Sequence, residues 1–520
     1  MDPILITEFE KGNCIKNKEN NNSDVYVISG ASVELFSSYV ALLCQNGFAL
    51  EEKYTMDTHS YAALQKDGQG MFINYFGSVS ELYIAYDKSC NYFSYENKLL
   101  DAVKAPQITQ IELEDFGMSY AVRLSDGRFI VIDGGRDFEC EADKLFKCLL
   151  EGSDGKAPVI AMWIMTHPHS DHFHAFMPFM DKYGDRVTVE SFLLNFPEKD
   201  DFEHYPQLAS KDYRFEDSSG VTNIPRMFER MYKTGAPIYT AHTGQRYEVG
   251  DAKLHVLASI DDTIHLTDSI NATSLVFRME LGGQVILWAT DAPFSTDKLC
   301  EKYGEYLKAD ILQVPHHGFQ GGTIESEIAG YKLIRPEVCL LPVSDYNAYT
   351  VFCAYKESTS FLMTKMGVKE MITGTPQRTI TLPYAPTPWG EKELERKYTE
   401  GHGRAGACTW FFSELNTAND EDFVFTLLNT TLTAATVWID LYFEDYHKNV
   451  RDIKFVLRSS RRSKINIVGD DVDGDAIFFN WMSLKDMGVP QNSDFTVRFR
   501  SDIPIIVSHK THRPAYNSNF

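Results

Sequence analysis

The segment that most narrows what this chain can become is Thr166-His-Pro-His-Ser-Asp-His172. Three histidines and one aspartate fall directly after an apolar run, Val159-Ile-Ala-Met-Trp-Ile-Met165, which reads as a buried strand. A loop leaving such a strand can turn His167 and His169 to one side. Asp171 and His172, at the start of the next helix, can then face a second point close by. Imidazole nitrogen and carboxylate oxygen suit Zn(II), and also Fe(II) or Mn(II). The bland alternative is a surface loop that is merely rich in histidine.

Two later runs join this loop. In Asn271-Ala-Thr-Ser-Leu-Val-Phe and Gly282-Gly-Gln-Val-Ile-Leu-Trp-Ala-Thr-Asp291, a hairpin is predicted whose second strand ends on an aspartate. A carboxylate at a strand end beside a metal loop is placed to bridge two cations. Taken alone, Asp291 would read as an ordinary N-cap for a helix after Pro293. The second run, Asp310-Ile-Leu-Gln-Val-Pro-His-His-Gly318, is again a buried strand that delivers histidines to a loop.

Around these motifs the pattern predicts three domains. Residues 1–104 read as a small α+β unit, with a strand at Val25–Ile28 and a helix capped by Ser32 that carries Val33, Phe36, Val40 and Leu43 on one face. Short strands follow at Tyr61–Leu64, Met71–Tyr75 and Leu82–Tyr86. No chemistry is visible in this unit, and an accessory packing or dimerisation role is expected of it. Residues 105–385 alternate strands and helices, with strands expected at Ile108–Leu113, Tyr120–Leu124, Phe129–Ile132, Val187–Leu194, Leu254–Leu257 and Val338–Pro342. Mixed sheets with helices outside make this an α/β layered domain. A Pro/Gly-rich stretch at Pro383–Gly403 reads as a linker. Residues 405–520 are mostly β, with strands at Phe423–Leu428, Thr436–Phe443, Ile453–Leu457, Ala476–Trp481, Phe495–Phe499 and Ile503–Val507. That spacing suggests a sandwich.

Taken together, the motifs resemble the metallo-β-lactamase fold superfamily, and within it the branch typified by the hydrolase domain of the competence DNA-uptake protein ComEC. The matching pieces are the HxHxDH motif at His167–His172, the Asn-x-x-Ser-Leu-Val run at Asn271, the strand closed by Asp291, Val-Pro-His-His-Gly from Val314, and an earlier strand ending Ile132-Asp-Gly-Gly135. They cover roughly residues 107–345; the flanking domains lie outside the resemblance. It implies a four-layer αββα sandwich with two divalent metal ions, zinc by default and iron or manganese by substitution, at one edge of the sheets. His167 and His169 would hold the first ion, and Asp171 and His172 the second, with Asp291 bridging. The last ligand would be His316 or His317; the motif does not separate them, and His316 is favoured because it directly follows the strand and Pro315. Asp133 would orient a ligand histidine from behind.

The sequence also departs from the pattern. Asn271 stands where tightly two-zinc members carry a further histidine, which leaves the first site one strong ligand short. His174 replaces a glycine common after HxHxDH, and Thr290 replaces the glycine usual before the bridging aspartate. His174 reads either as a catalytic or substrate-contacting group, a surrogate ligand, or a core histidine. His204, His242, His255 and His265 follow no pattern and read as structural.

The implied chemistry is hydrolysis by a metal-bridging hydroxide, on a phosphodiester or related phosphate ester. A lactone, amide or thioester hydrolase using the same centre, or a non-catalytic metal-binding scaffold, are the rivals. No Gly-x-Ser-x-Gly elbow, P-loop or dinucleotide-binding glycine turn is present in the sequence. A formal net charge of -23 disfavours nucleic-acid polymers and anionic membranes as partners, and a small-molecule or phosphoester substrate is expected instead. Nine cysteines without a CxxC pair, and a start lacking a signal-peptide pattern, point to a cytoplasmic setting.

Overall fold

Ser32 starts the first helix as expected: its backbone is extended, at φ -125°, and its hydroxyl accepts the Leu35 N–H. In the helix Val33–Gln45, residues Phe36, Tyr39, Val40 and Leu43 recur at three- and four-residue spacing. That stripe packs on an antiparallel sheet through Ala62, Leu64, Ile73, Leu82 and Ile84. The described strands of this sheet run, in spatial order, Cys14–Glu19, Ser23–Ser29, Glu81–Asp87, Gln69–Phe76, His59–Lys66 and Ala49–Met56. Alternate residues Tyr61, Ala63, Phe72 and Ala85 turn to the opposite face. There Phe72 stacks on His242, and Asn74 donates to the Thr243 carbonyl at 2.8 Å, so the sheet is covered on both faces.

The next two sheets form the scaffold of the site. In the strand Phe129–Asp133 (all five residues buried), Ile130 and Ile132 face a core shared with the second sheet, while Phe129 and Val131 face helices. Phe146 and Leu149 of the helix Glu139–Gly152 and Phe176 and Phe179 of Phe176–Tyr183 fill that outer side. The shared core carries Met162 and Ile164 from the first sheet against Phe277, Met279, Ile286 and Trp288 from the second. Beyond the second sheet, Leu287, Leu312 and Cys339 are buried along with Tyr331 and Ile334 of the helix Ile324–Ile334. Helices, sheet, sheet, helices is the four-layer α/β sandwich expected from the sequence. In the first sheet, the strands ending at Asp133, Ile164, Leu194 and Thr240 are parallel neighbours, so their C-terminal ends share one edge. The expected strand Val187–Leu194 is two short ones, Thr188–Val189 and Phe192–Leu194, both paired with Val159–Ile164.

The computed structural model describes residues 14–19, 22–114, 117–136, 139–198, 201, 220–263, 270–319, 324–343, 366, 368–374, 377–386, 407–416, 422–431, 434–457, 461–466 and 493–512. The chain divides into two compact units, residues 1–343 with 371–385 and residues 344–370 with 386–520. The second unit is β-rich. Its long strand Asp494–His512 pairs with Ala435–Phe443 through Phe495 to Ser501 and with Asp422–Asn429 through Ile506 to His512. The expected strand Ala476–Trp481 and most of the expected linker lie outside the described residues. Among the described residues, no helix is long and apolar enough to cross a membrane.

Candidate metal centre

The loop after Val159–Ile164 is fixed from below by Asp133. This residue sits fully buried at φ +55°, where its carboxylate accepts both the Thr166 N–H at 2.8 Å and the Thr166 hydroxyl at 2.7 Å. The same carboxylate lies 2.7 Å from His172 Nδ1. Gly134 and Gly135 then donate their N–H groups to the His172 carbonyl, at 2.6 and 3.0 Å. Backbone approach this close requires glycine: a Cβ on Gly135, whose φ is +92°, would stand 2.6 Å from a Glu141 carboxylate oxygen.

The outer partners settle the histidine tautomers. His172 Nδ1 faces a carboxylate and His317 Nδ1 faces the Pro342 carbonyl at 3.2 Å, so each carries its proton on Nδ1. The Thr166 hydroxyl gives its proton to Asp133 and therefore accepts from His167 Nδ1 at 3.2 Å. In the neutral imidazoles all three Nε2 atoms then present lone pairs to the interior. His172 Nε2 and His317 Nε2 stand 3.2 Å apart, and Asp291 Oδ2 lies 3.3 Å from both. Asp171 Oδ2 is 3.1 Å from His317 Nε2, and His167 Nε2 is 3.6 Å from Asp291 Oδ2.

Two imidazole nitrogens and two carboxylates aimed at one buried point need positive charge between them, supplied by protons or by a metal ion that displaces those protons. Bond lengths of 2.0–2.1 Å in a tetrahedron put ligand atoms about 3.3 Å apart, close to the separations found here. Burial opposes charge on His317, yet the Asp291 and Asp171 carboxylates override it and raise its pKa to about 9. Burial likewise opposes charge on His172, and Asp291 and Asp133 raise it well above the usual histidine value. His167 goes the other way, held neutral by burial and by the neighbouring His172. Within the cluster itself, His167 Nε2 and Asp291 Oδ1 are buried without a hydrogen-bond partner among the described residues. The residues present therefore fit metal ions, in two groups that share His172: His167, His172 and Asp291, and Asp171, His172 and His317.

Of the two candidate last ligands, His317 is the one whose ring reaches the cluster, 3.1 Å from Asp171 and 3.3 Å from Asp291; both histidines sit in left-handed backbone, at φ +49° and +53°. His316 Nε2 instead meets the Asn271 amide nitrogen at 2.9 Å. His169 packs beside His167, with ring centroids 4.8 Å apart, and stands outside both groups. His174 is buried with Nε2 held by Asn223 at 3.0 Å and its ring edge-on to Phe173, and it belongs to neither group. The N-cap reading of Asp291 is also set aside, since the next helical turn, Thr296–Lys298, starts from Ser295.

Gln313 is a buried residue beside the site that sequence reasoning missed. It is fully buried in the apolar strand Ile311–Gln313, and its side chain accepts the Thr290 N–H while donating to the Thr290 carbonyl at 3.3 Å. This clamp, with the Thr290 hydroxyl on the Leu275 carbonyl at 3.0 Å, holds a β-branched residue at φ +53° and so aims Asp291. A lone amide in an apolar run was the available signal.

No protein-family model matches the chain, and no curated protein does. Solved structures do. Igni18, a metallo hydrolase from the hyperthermophilic archaeon Ignicoccus hospitalis KIN4/I, is 13% identical over 53% of this chain and 99% of its own, with a TM-score of 0.30. Zn(2+)-bound PqqB from Methylobacterium extorquens is 12% identical over 51% of this chain and 87% of its own, at 0.32. The Anabaena sensory rhodopsin transducer is 22% identical over 20% of this chain and 96% of its own, at 0.15.

Proposed function

We propose that this protein is a metal-dependent hydrolase of phosphodiesters or related phosphate esters, of the ComEC-like kind. The observation that carries the metal reading is the buried convergence of His172 Nε2, His317 Nε2, Asp171 and Asp291 within 3.1–3.3 Å contacts, with both histidine Nδ1 protons already committed elsewhere. Asp171, His172 and His317 would hold one ion, His167 the other, and Asp291 both. Bound there, divalent ions supply a water nucleophile ionised near neutral pH and stabilise negative charge building on the ester. Asp133 keeps the His172 proton on Nδ1, which leaves Nε2 free to ligate. The buried Thr166–Asp133 pair keeps the loop from relaxing into the space its ligands surround. The phosphate ester is supported by the motif resemblance of Val314–Gly318 and Asn271, where a lactone, amide or thioester remains the rival substrate class.

Elemental analysis of the purified full chain should find more than one transition-metal ion per chain. Bis(p-nitrophenyl) phosphate should then be turned over faster than a γ-lactone or a β-lactam by the same preparation. Preference for the lactone would move the substrate class to acyl esters. A chain that takes up no metal on reconstitution would refute the hydrolase reading altogether.

A further inference from the structure

A cleft of about 790 Å³ opens between the N-terminal sheet and the first sheet of the sandwich. One wall is apolar: Leu194 and Phe196 follow the end of Phe192–Leu194, and Ile224, Phe228 and Tyr232 come from one side of the helix Gly220–Thr234. Phe228 and Tyr232 stack with ring centroids 6.0 Å apart, and Tyr232 is 68% exposed, which puts an aromatic lip at the mouth. The other wall is polar and belongs to the N-terminal domain, through Ser23, Asp87 and Ser89. Among the described residues that line the cleft there are two carboxylates, Asp87 and Glu198, and neither lysine nor arginine.

The position ties the cleft to the metal loop. Leu194 and Thr240 end strands at the same sheet edge as Ile164, and neighbouring strands lie about 4.8 Å apart. Phe196 packs edge-on to Phe173, next to His172, with centroids 5.8 Å apart. Asn223, which holds His174, immediately precedes the lining residue Ile224. The volume is that of an ordinary small-molecule site, with apolar walls and a few polar groups. Its described lining is negative on balance, with the carboxylates Asp87 and Glu198 and no lysine or arginine, and the buried His242 beside Asp87 is shared with Asp261, at 3.2 and 2.5 Å.

We infer that this cleft binds the uncharged aromatic portion of the substrate, that it excludes anionic groups, and that the N-terminal domain thereby sets specificity. The link to catalysis rests on the hydrolase reading above; the binding does not. N-phenyl-1-naphthylamine and 8-anilino-1-naphthalenesulfonate are fluorescent probes that differ by one sulfonate. The full chain should bind the first at a single site and the second at least tenfold more weakly. The double variant F228A/Y232A, whose fold circular dichroism checks, should lose about tenfold in affinity for the amine, the order expected for removing two aromatic contacts. S89K, which places a cation opposite that wall, should recover binding of the sulfonate. Equal binding of both probes, or an unaltered affinity in F228A/Y232A, would overturn the cleft assignment. In turnover, wild type should prefer p-nitrophenyl phenyl phosphate to methyl p-nitrophenyl phosphate by about tenfold in kcat/KM, and F228A/Y232A should shrink that ratio. N-phenyl-1-naphthylamine should compete with the phenyl ester at an inhibition constant matching its Kd. Tight binding without competition would leave a cleft unconnected to the substrate and so refute the specificity role. No turnover of either ester by metal-loaded protein would refute the hydrolase reading, with the probe pair still deciding the cleft.

Discussion

Between His316 and His317, one backbone step decides which imidazole reaches the cluster. Two consecutive residues near φ +50° rotate their Cα–Cβ bonds in a way that no motif encodes, so the pair was legible as ligand-bearing and the choice within it was not. His317→Ala should therefore cost at least one metal ion per chain and abolish ester hydrolysis. His316→Ala should keep the metal content of the wild type, measured by inductively coupled plasma analysis after dialysis; equal metal loss in both would contradict the assignment. Asp291 can be examined in the same way. Its partnerless Oδ1 and its Oδ2 at 3.3 Å from two imidazoles leave it no structural duty apart from the site. Asp291→Asn keeps shape but removes the charge facing His172 and His317, so the apo protein should stay folded at somewhat lower stability in urea while metal binding and hydrolysis are lost. A fully metallated, active Asp291→Asn protein would show that the carboxylate does not bridge.

At the level of elements, strands that alternate or are wholly apolar were readable, because burial itself writes that pattern. Ala49–Met56 escaped because it is an edge strand with no buried residue and with Glu51, Glu52 and Lys53 at its centre. Gln107–Gln110 and Arg378–Thr381 pair across about 270 residues of chain, a relation that local periodicity does not carry. The turn after Phe129–Asp133 was legible as Asp-Gly-Gly, yet its purpose was not. Its two N–H groups grip the carbonyl of His172 and so join two strand ends into one platform. Gly135→Ala should cost about 1–3 kcal/mol, from a left-handed backbone and from the close approach to Glu141. Gly155→Ala, at φ +76° with open space around it, bears only the backbone part. Urea titrations of the two variants should differ by the steric part, and Gly135→Ala alone should weaken metal binding. Equal destabilisation with metal affinity intact would mean the turn is not coupled to the site.

Across the whole first unit, the sequence reading covered the sandwich and left the N-terminal sheet without a task, because its polar contributions come from Ser23, Asp87 and Ser89, residues that look like ordinary turn chemistry. His242 also passed as structural, and only the fold shows what it joins. It is fully buried, stacked on Phe72, with Asp87 of the N-terminal sheet on one nitrogen and Asp261 of the sandwich on the other. Burial disfavours its charge, but Asp261 and Asp87 win and raise its pKa to about 9. A histidine whose pKa rises on folding stabilises the native state in its protonated form. That contribution is complete below the unfolded value of about 6.5, shrinks between 6.5 and 9, and is gone above. The shift corresponds to about 3 kcal/mol at most. Unfolding free energy from urea titrations should therefore fall as pH rises from 6.5 to 9, and His242→Gln should flatten that part of the curve. The variant should also be the less stable protein at pH 6, where wild type has the full ion pair. At pH 9.5 the difference should narrow, since the wild-type imidazole is then neutral and makes at best one hydrogen bond. A stability profile that rises through this window in wild type, or keeps its slope in His242→Gln, would show that these two carboxylates do not hold a charged imidazole between the N-terminal sheet and the sandwich.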